Sequence, residues 1–175
     1  ALNTIGVPTE HLYFLGYADN GGMGVGAFTT AFTDSFVYNI YVADDNKVIS
    51  SRNGVTETYG NENVRNDYHY LTTGEHASYT RANFLADLKS VMESVNPTDV
   101  YMTSRYDMHY DHAYFGLFGI EAIKDIQAEN NDFQPTVHEA IIHSHMTDEV
   151  YPKDQGNYGW NHELDTYLGA WQHLD

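Results

Sequence analysis

The chain has 175 residues, 42% of them hydrophobic and 19% charged, which suits one globular domain with a real core rather than a disordered segment. Twenty-five acids against eight bases leave a formal charge of -17, so nucleic-acid phosphates and anionic lipid surfaces are excluded as partners. There is no cysteine, which removes disulfides and thiolate metal sites and restricts any metal to histidine and carboxylate ligands.

In chain order, Ala1 to Val7 reads as the last turn of a helix ending at Gly6, with Pro8 just beyond. The run His11-Leu12-Tyr13-Phe14-Leu15-Gly16-Tyr17 reads as a buried strand closed by Gly16. Asp19 to Gly26 is a loop by its glycine content. Its Gly22-x-Gly24-x-Gly26 spacing is wrong for a dinucleotide fingerprint, and no persuasive helix follows. Phe36 to Val42 and Lys47 to Ser50 read as short strands joined by Asp44-Asp45-Asn46, and Asn53-Gly54 is a turn signal. Residues 20–78 are therefore expected to form a β-rich insertion, a substrate loop within one domain spanning 1–175. Its Tyr59, Tyr68, Tyr70 and His69 either line a sugar site or cover a hairpin.

A helix follows, capped by Thr80 or Ser78, with Phe84, Leu85, Leu88, Val91, Met92 and Val95 on one stripe. Asn96-Pro97 stops it, because a residue before proline avoids the α region. Asp99 to Thr103 gives a buried strand, Ser104 to Met108 a turn, and Asp111 to Glu129 a second helix. Helix, strand, turn and helix in that order make a βα crossover of a parallel sheet, so the fold class is α/β. Thr136 to Met146 is a further strand, and the tail from Thr147 is loop-rich with a helical stretch near Leu164 to Trp171. No stretch is long and apolar enough to span a bilayer.

The turn between that strand and the second helix holds four potential metal ligands or proton carriers in Asp107-x-His109-x-Asp111-His112. Open α/β sheets place their chemistry at such carboxyl ends of strands. His112, on the first helical turn, can present a neutral imidazole to a metal, and His109 can face the same spot from another angle. Asp111 can hold an imidazole nitrogen and set its tautomer, while Asp107 can anchor the site or cap the helix. An ordinary polar turn in an acidic, histidine-rich chain accounts for the same residues.

Asn96-Pro97-Thr98-Asp99-Val100-Tyr101 followed by Asp107-x-His109-x-Asp111-His112 and an apolar helix resembles the second signature of the LmbE/PIG-L family. These are N-acetylglucosaminyl deacetylases, zinc hydrolases that remove acetyl groups from amino sugars. Ile5-Gly6-Val7, Phe14 to Asp19, Thr56 to Gly60 and Tyr79-Thr80-Arg81 are similar to the family's middle region and to its longer secreted members. The resemblance implies a three-layer α/β/α Rossmann-like fold with a mainly parallel sheet. It also implies zinc as cofactor and a substrate bearing N-acetylglucosamine, with His112 as a zinc ligand. His109 would stabilise the oxyanion and protonate the leaving amine, with Asp111 tuning it and Asp107 beside them.

Tyr110 stands where the family commonly has proline. The family's first signature, His-Pro-Asp-Asp-Glu, which supplies two further zinc ligands and the general base, does not occur in this sequence. The expectation is an amino-terminally incomplete domain, its remaining donors coming from an upstream segment or from another copy of the chain. A catalytically inactive carbohydrate-binding domain that keeps the fold is the alternative. His143 and His145 share one face of a strand and either line the pocket, form a separate metal site, or face solvent. Fifteen tyrosines among many Asn, Asp, Thr and Gly residues resemble the composition of secreted or cell-surface glycan-handling domains. A serine hydrolase is disfavoured, since no Gly-x-Ser-x-Gly elbow is present.

Overall fold

The structure is a computed structural model that describes residues 6–8, 11–18, 35–60, 65–107 and 109–142, and the backbone of 172 and 173. The expectations at Ala1 to Ile5, Asp19 to Gly26, His143, His145 and Leu164 to Trp171 lie outside these residues. In order, the elements are α1 (Phe36–Tyr41), α2 (Tyr68–Thr73), α3 (Arg81–Val95), β1 (Asp99–Thr103), α4 (Tyr110–Glu129), β2 (Thr136–Ala140) and β3 (Gln172–His173). The chain is thus mixed α/β, with β1 and β2 parallel and paired from Asp99↔Thr136 to Thr103↔Ala140. β3 joins the far side of β2 antiparallel, at His138↔His173 and Glu139↔Gln172.

The elements α3, β1 and α4 form where the sequence predicts them, but β1 is not the buried strand expected: α4 covers its Met102 face, and Tyr101 on the other face is 62% exposed. Between the two possible caps the structure selects Thr80, whose Oγ1 accepts the Asn83 N–H at 3.2 Å. Asn96 ends α3 in the left-handed region at φ 48°, its N–H bonded to Met92 O at 2.8 Å, and Pro97 prevents continuation. Phe84 and Leu88 of α3 are buried with Phe118 and Ala122 of α4, and with Phe36, Val37 and Ile40 of α1. A second cluster of Met102, Ile123, Ile126, Phe133 and Val137 packs α4 on the sheet, and Met92 touches both clusters. Where α4 crosses β1 the helix carries Gly116, because a Cβ there would collide with Thr103 O. Arg81 ties the start of α3 to the end of α1 and the middle of α4. Its Nη2 donates to both Glu121 carboxylate oxygens, at 2.6 and 2.7 Å, and its Nε–H donates to Tyr41 O at 3.1 Å. Among the described residues no helix is long and apolar enough to cross a membrane.

The segment before α3 departs from the β-rich expectation. Phe36 to Val42 is not a strand but the helix α1. Ser35 caps it by accepting the Tyr38 N–H at 3.0 Å, and Phe36, Val37 and Ile40 fall on its buried side. A six-residue apolar run cannot be told from a strand by periodicity, and Val, Ile and Tyr bias the reading toward one. Tyr68 to Thr73 is likewise helical, capped by Asp67 and closed by Gly74 at φ 87°.

Residues 11–18 form no strand and are not the buried segment expected, since Tyr13 and Phe14 are exposed and Gly16 turns the chain at φ 74°. Phe14 O accepts the Tyr68 N–H, Gly16 O accepts the Tyr59 N–H, and the Tyr17 ring packs on Tyr79 and Phe84. Single bonds to separate partners replace a ladder. Lys47 to Ser50 also forms no strand, although Ile49 N–H donates to Tyr79 O at 2.9 Å. What pairs is short: Glu57 and Ser78 make an isolated antiparallel bridge. The two expected turns are present, with Lys47 N–H donating to Asp44 O and Gly54, at φ 80°, donating to Ser51 O.

Candidate functional site

β1 delivers its last residue, Thr103, beside the first turns of α4, where Thr103 Oγ1 donates to His112 O at 2.8 Å. The chain then turns through Ser104 and Asp107, both buried. Three bonds from the carboxyl end of β2 hold that turn. Ser104 N–H donates to Ala140 O at 2.8 Å, Arg105 N–H to Glu139 Oε1 at 3.1 Å, and Ile142 N–H to Asp107 Oδ2 at 2.7 Å. Glu139 is 1% exposed, an acid placed in the interior to hold the backbone of the turn. No motif in the sequence marks Glu139; the one local signal is its alternation with His138 on β2, which turns one of the two inward.

Asp107 is the centre of the arrangement. Its Oδ1 accepts the His109 N–H at 2.8 Å, an Asx-type bond that aims the chain into α4. Its Oδ2 lies 3.4 Å from His112 Nδ1, a charge contact longer than a formed hydrogen bond. His109 is the N-cap residue of α4, and His112 stands three positions later on the same side. Their rings stack with centroids 4.6 Å apart at 27°.

Asp111 is placed otherwise than expected. Instead of holding an imidazole nitrogen, its Oδ1 accepts the Ser35 hydroxyl and the Val37 N–H, the latter at 3.0 Å. It therefore pins the amino end of α1 to the first turn of α4. The carboxylate facing an imidazole is Asp107. The other oxygen, Asp111 Oδ2, is buried with no hydrogen-bond partner among the described residues.

Of the sequence-predicted residues, Asp107, His109 and His112 are neighbours at the carboxyl end of β1, while Asp111 turns to α1. Tyr59 does not join them. It is 62% exposed and stands by Gly16, whose added Cβ would meet both Tyr59 O and the Asp67 side chain.

The neighbourhood of Tyr59 contains a second polar network that the sequence did not announce. Asp67 is fully buried and accepts from Thr58 Oγ1, the Tyr70 N–H and His76 Nδ1. Asp87, on α3, accepts the Tyr17 hydroxyl at 2.9 Å and faces His69 Nδ1 at 2.7 Å. Burial pushes the Asp87 carboxyl above its ordinary value, against the lowering effect of its bonds to His69 and Tyr17. Burial, then the Asp87 charge, raises the Tyr17 phenol as well.

The donor chemistry tests whether a zinc-type cation suits the first group. A carboxylate beside His112 Nδ1 favours a proton there and a lone pair on Nε2, as carboxylate–histidine–metal triads require. Asp111 turns its carboxylate to α1 rather than to this ring. The group therefore offers a cation one imidazole, that of His112. Among the described residues no three His, Cys, Asp or Glu side chains are grouped to hold it by themselves. Comparison with family models, curated proteins and solved structures gives no match.

Proposed function

We propose that the chain carries part of the site of a zinc-dependent hydrolase that removes an N-acetyl group from an amino sugar or glycoconjugate. One observation carries the reading: Asp107 sets its carboxylate against His112 Nδ1, while His109 stacks on the same ring at the carboxyl end of a parallel strand. The resemblance of Asp107-x-His109-x-Asp111-His112 to the deacetylase signature supports it, and with it a three-layer Rossmann-like arrangement.

When bound, zinc supplies Lewis-acid polarisation of the acetamide carbonyl and of a water. His112 contributes one ligand through Nε2, and Asp107 holds that ring in the required tautomer. His109 stands one ring away, where as imidazolium it donates to the developing oxyanion and then passes its proton to the departing amine. Asp111 acts at one remove, holding α1 against the turn. The remaining donors and the general base come from residues beyond this group.

The test is zinc content and acetate release on the full-length protein with N-acetylglucosamine substrates. Stoichiometric zinc that falls away in His112→Ala, together with acetate release, supports the reading; a protein that binds no zinc and releases no acetate refutes it. A second reading, a carbohydrate-binding domain without the chemistry, is favoured by the half-buried tyrosines beside the site. Metal content separates the two.

A further inference from the structure

The apolar stripe of α3 is longer than the core it packs on. Phe84 and Leu88 are buried, but further along the stripe Val91 and Met92 are half-buried and Val95 is 52% exposed. The uncovered part is not flat surface. With Phe115 of α4 it forms the floor of a cavity of about 450 Å³, and residues 11–15 make the facing wall. Leu88, Val91, Met92 and Phe115 also line a second cavity of about 250 Å³, which continues to Val95, Pro97 and the Val100–Met102 part of β1. The two cavities share a floor and so make one channel along α3. From Leu88 to Val95 the helix rises about 10 Å.

The wall is tied down. Phe14 O accepts the Tyr68 N–H at 2.6 Å, the Tyr13 ring meets the Tyr68 ring edge-on at 5.5 Å, and the Tyr17 hydroxyl donates to Asp87 at 2.9 Å. The channel is therefore held open by bonds behind the wall rather than by anything within it. Its size falls in the range of small-molecule sites, about 300–1,000 Å³. Its lining says what fits. The shared floor carries no polar group, and the thioether of Met92 can adjust to an occupant. Among the described residues no lysine or arginine lines either cavity, while Asp99 lines the second. A carboxylate or phosphate head would thus lose its water without gaining a counter-ion, and would meet a like charge.

We propose that this channel binds the uncharged, linear hydrocarbon chain of an alkyl or acyl ligand, laid along α3 over Leu88, Val91 and Met92. Two joined cavities that follow a helix suit a long occupant better than a globular one. The inference is independent of the hydrolase reading, since neither His109 nor His112 lines the channel.

The experiment titrates hexanol, decanol and decanoate into the full-length protein by calorimetry. Decanol is expected to bind one per chain and at least about tenfold tighter than hexanol, because each methylene taken out of water is worth about fourfold. Decanoate is expected to bind at least about tenfold more weakly than decanol. Val91 belongs to neither core cluster, so it can be replaced without opening the core. Val91→Phe fills the channel and Val91→Gln lays an amide on its floor; each should lower decanol affinity at least about tenfold. Glutamine is a good helix former, so that variant folds even if the phenylalanine does not fit. Decanol binding no tighter than hexanol overturns the proposal, as does decanoate matching decanol. A Val91→Gln protein that melts like the wild type and keeps its decanol affinity overturns it too. So does a protein that self-associates at the assay concentration and takes up no decanol, a result that gives the channel to a second copy of the chain.

Discussion

Replacing Asp107 is the sharpest perturbation of the site. Its carboxylate is fully buried and accepts two backbone N–H groups, from His109 at 2.8 Å and Ile142 at 2.7 Å. Asp107→Ala leaves both donors without their acceptor, and each unmet buried donor costs about 1–3 kcal/mol. The two share one carboxylate and are not independent, so the combined loss is about 3–5 kcal/mol rather than a simple sum. Against a typical total of about 5–15 kcal/mol this is a large fraction, enough to lower the melting temperature by roughly 10 °C. Asp107→Asn keeps the shape and one acceptor oxygen, and its loss is about 1–2 kcal/mol. The amide cannot, however, favour a proton on His112 Nδ1 as a carboxylate does. Zinc affinity in the Asn variant should fall by about 10–100-fold, the usual effect of removing an outer-shell partner of a metal-bound histidine. Urea unfolding measures the first quantity and zinc titration of the folded variant the second. An Ala variant losing under about 1 kcal/mol, or an Asn variant with wild-type zinc affinity, refutes the reasoning.

The other expectations concern the elements around the site. Asp111→Ala removes the acceptor for the Ser35 hydroxyl and the Val37 N–H, so it should cost about 1–3 kcal/mol and speed amide exchange across Phe36–Tyr41 above that of Arg81–Val95; unchanged exchange in α1 contradicts the anchoring role. In Gly116→Ala a helix-propensity gain of about 1 kcal/mol opposes an overpacking cost of about 1–3 kcal/mol or more. The obstruction is Thr103 O, a sheet backbone atom that cannot swing aside, so the variant should melt lower than the wild type; a higher melting temperature refutes the close approach. For Asp87, burial raises the folded-state pKa above the unfolded value. Its contribution to stability is therefore fully present below the unfolded pKa and is lost as pH rises through the folded one. Asp87→Asn should consequently gain on the wild type between about pH 4 and pH 7, and unfolding curves at the two pH values that show the opposite trend contradict the sign. On the hydrolase reading, His109→Ala should lower kcat with little change in KM, and a variant with normal turnover removes the role given to that ring.

The parts of the fold that could be read from sequence are those whose signals are local. α3 and α4 run long enough for their apolar stripes to be unmistakable, and Thr80, Asn96 and Pro97 bracket the first of them. The parallel β1–β2 pair follows from the helix between them, because parallel strands need a crossover. α1 departs from the strand its sequence suggests because six residues rich in Val, Ile and Tyr fit either period. What decides for helix is the Ser35 cap and a carboxylate, Asp111, that lies 76 positions later in the chain. The four residues of the site were legible as a dense ligand group, yet their roles were not. Which acid faces an imidazole depends on where β2 ends, since Ile142 N–H fixes Asp107 from outside the motif. Asp67 and Asp87 show the same limit. Nothing in a one-dimensional pattern marks an aspartate for burial, and only folding brings Thr58, Tyr17 and the two histidines around them.

The central claim is that Asp107 presents His112 with its proton on Nδ1 and its lone pair on Nε2. A long-range 15N–1H correlation spectrum of the histidine rings reads this directly. The account predicts the Nδ1–H tautomer for His112, with the Nε2 resonance moving when zinc is added and the tautomer preference lost in Asp107→Asn. An Nε2–H tautomer, or an Nε2 resonance indifferent to zinc, would contradict it.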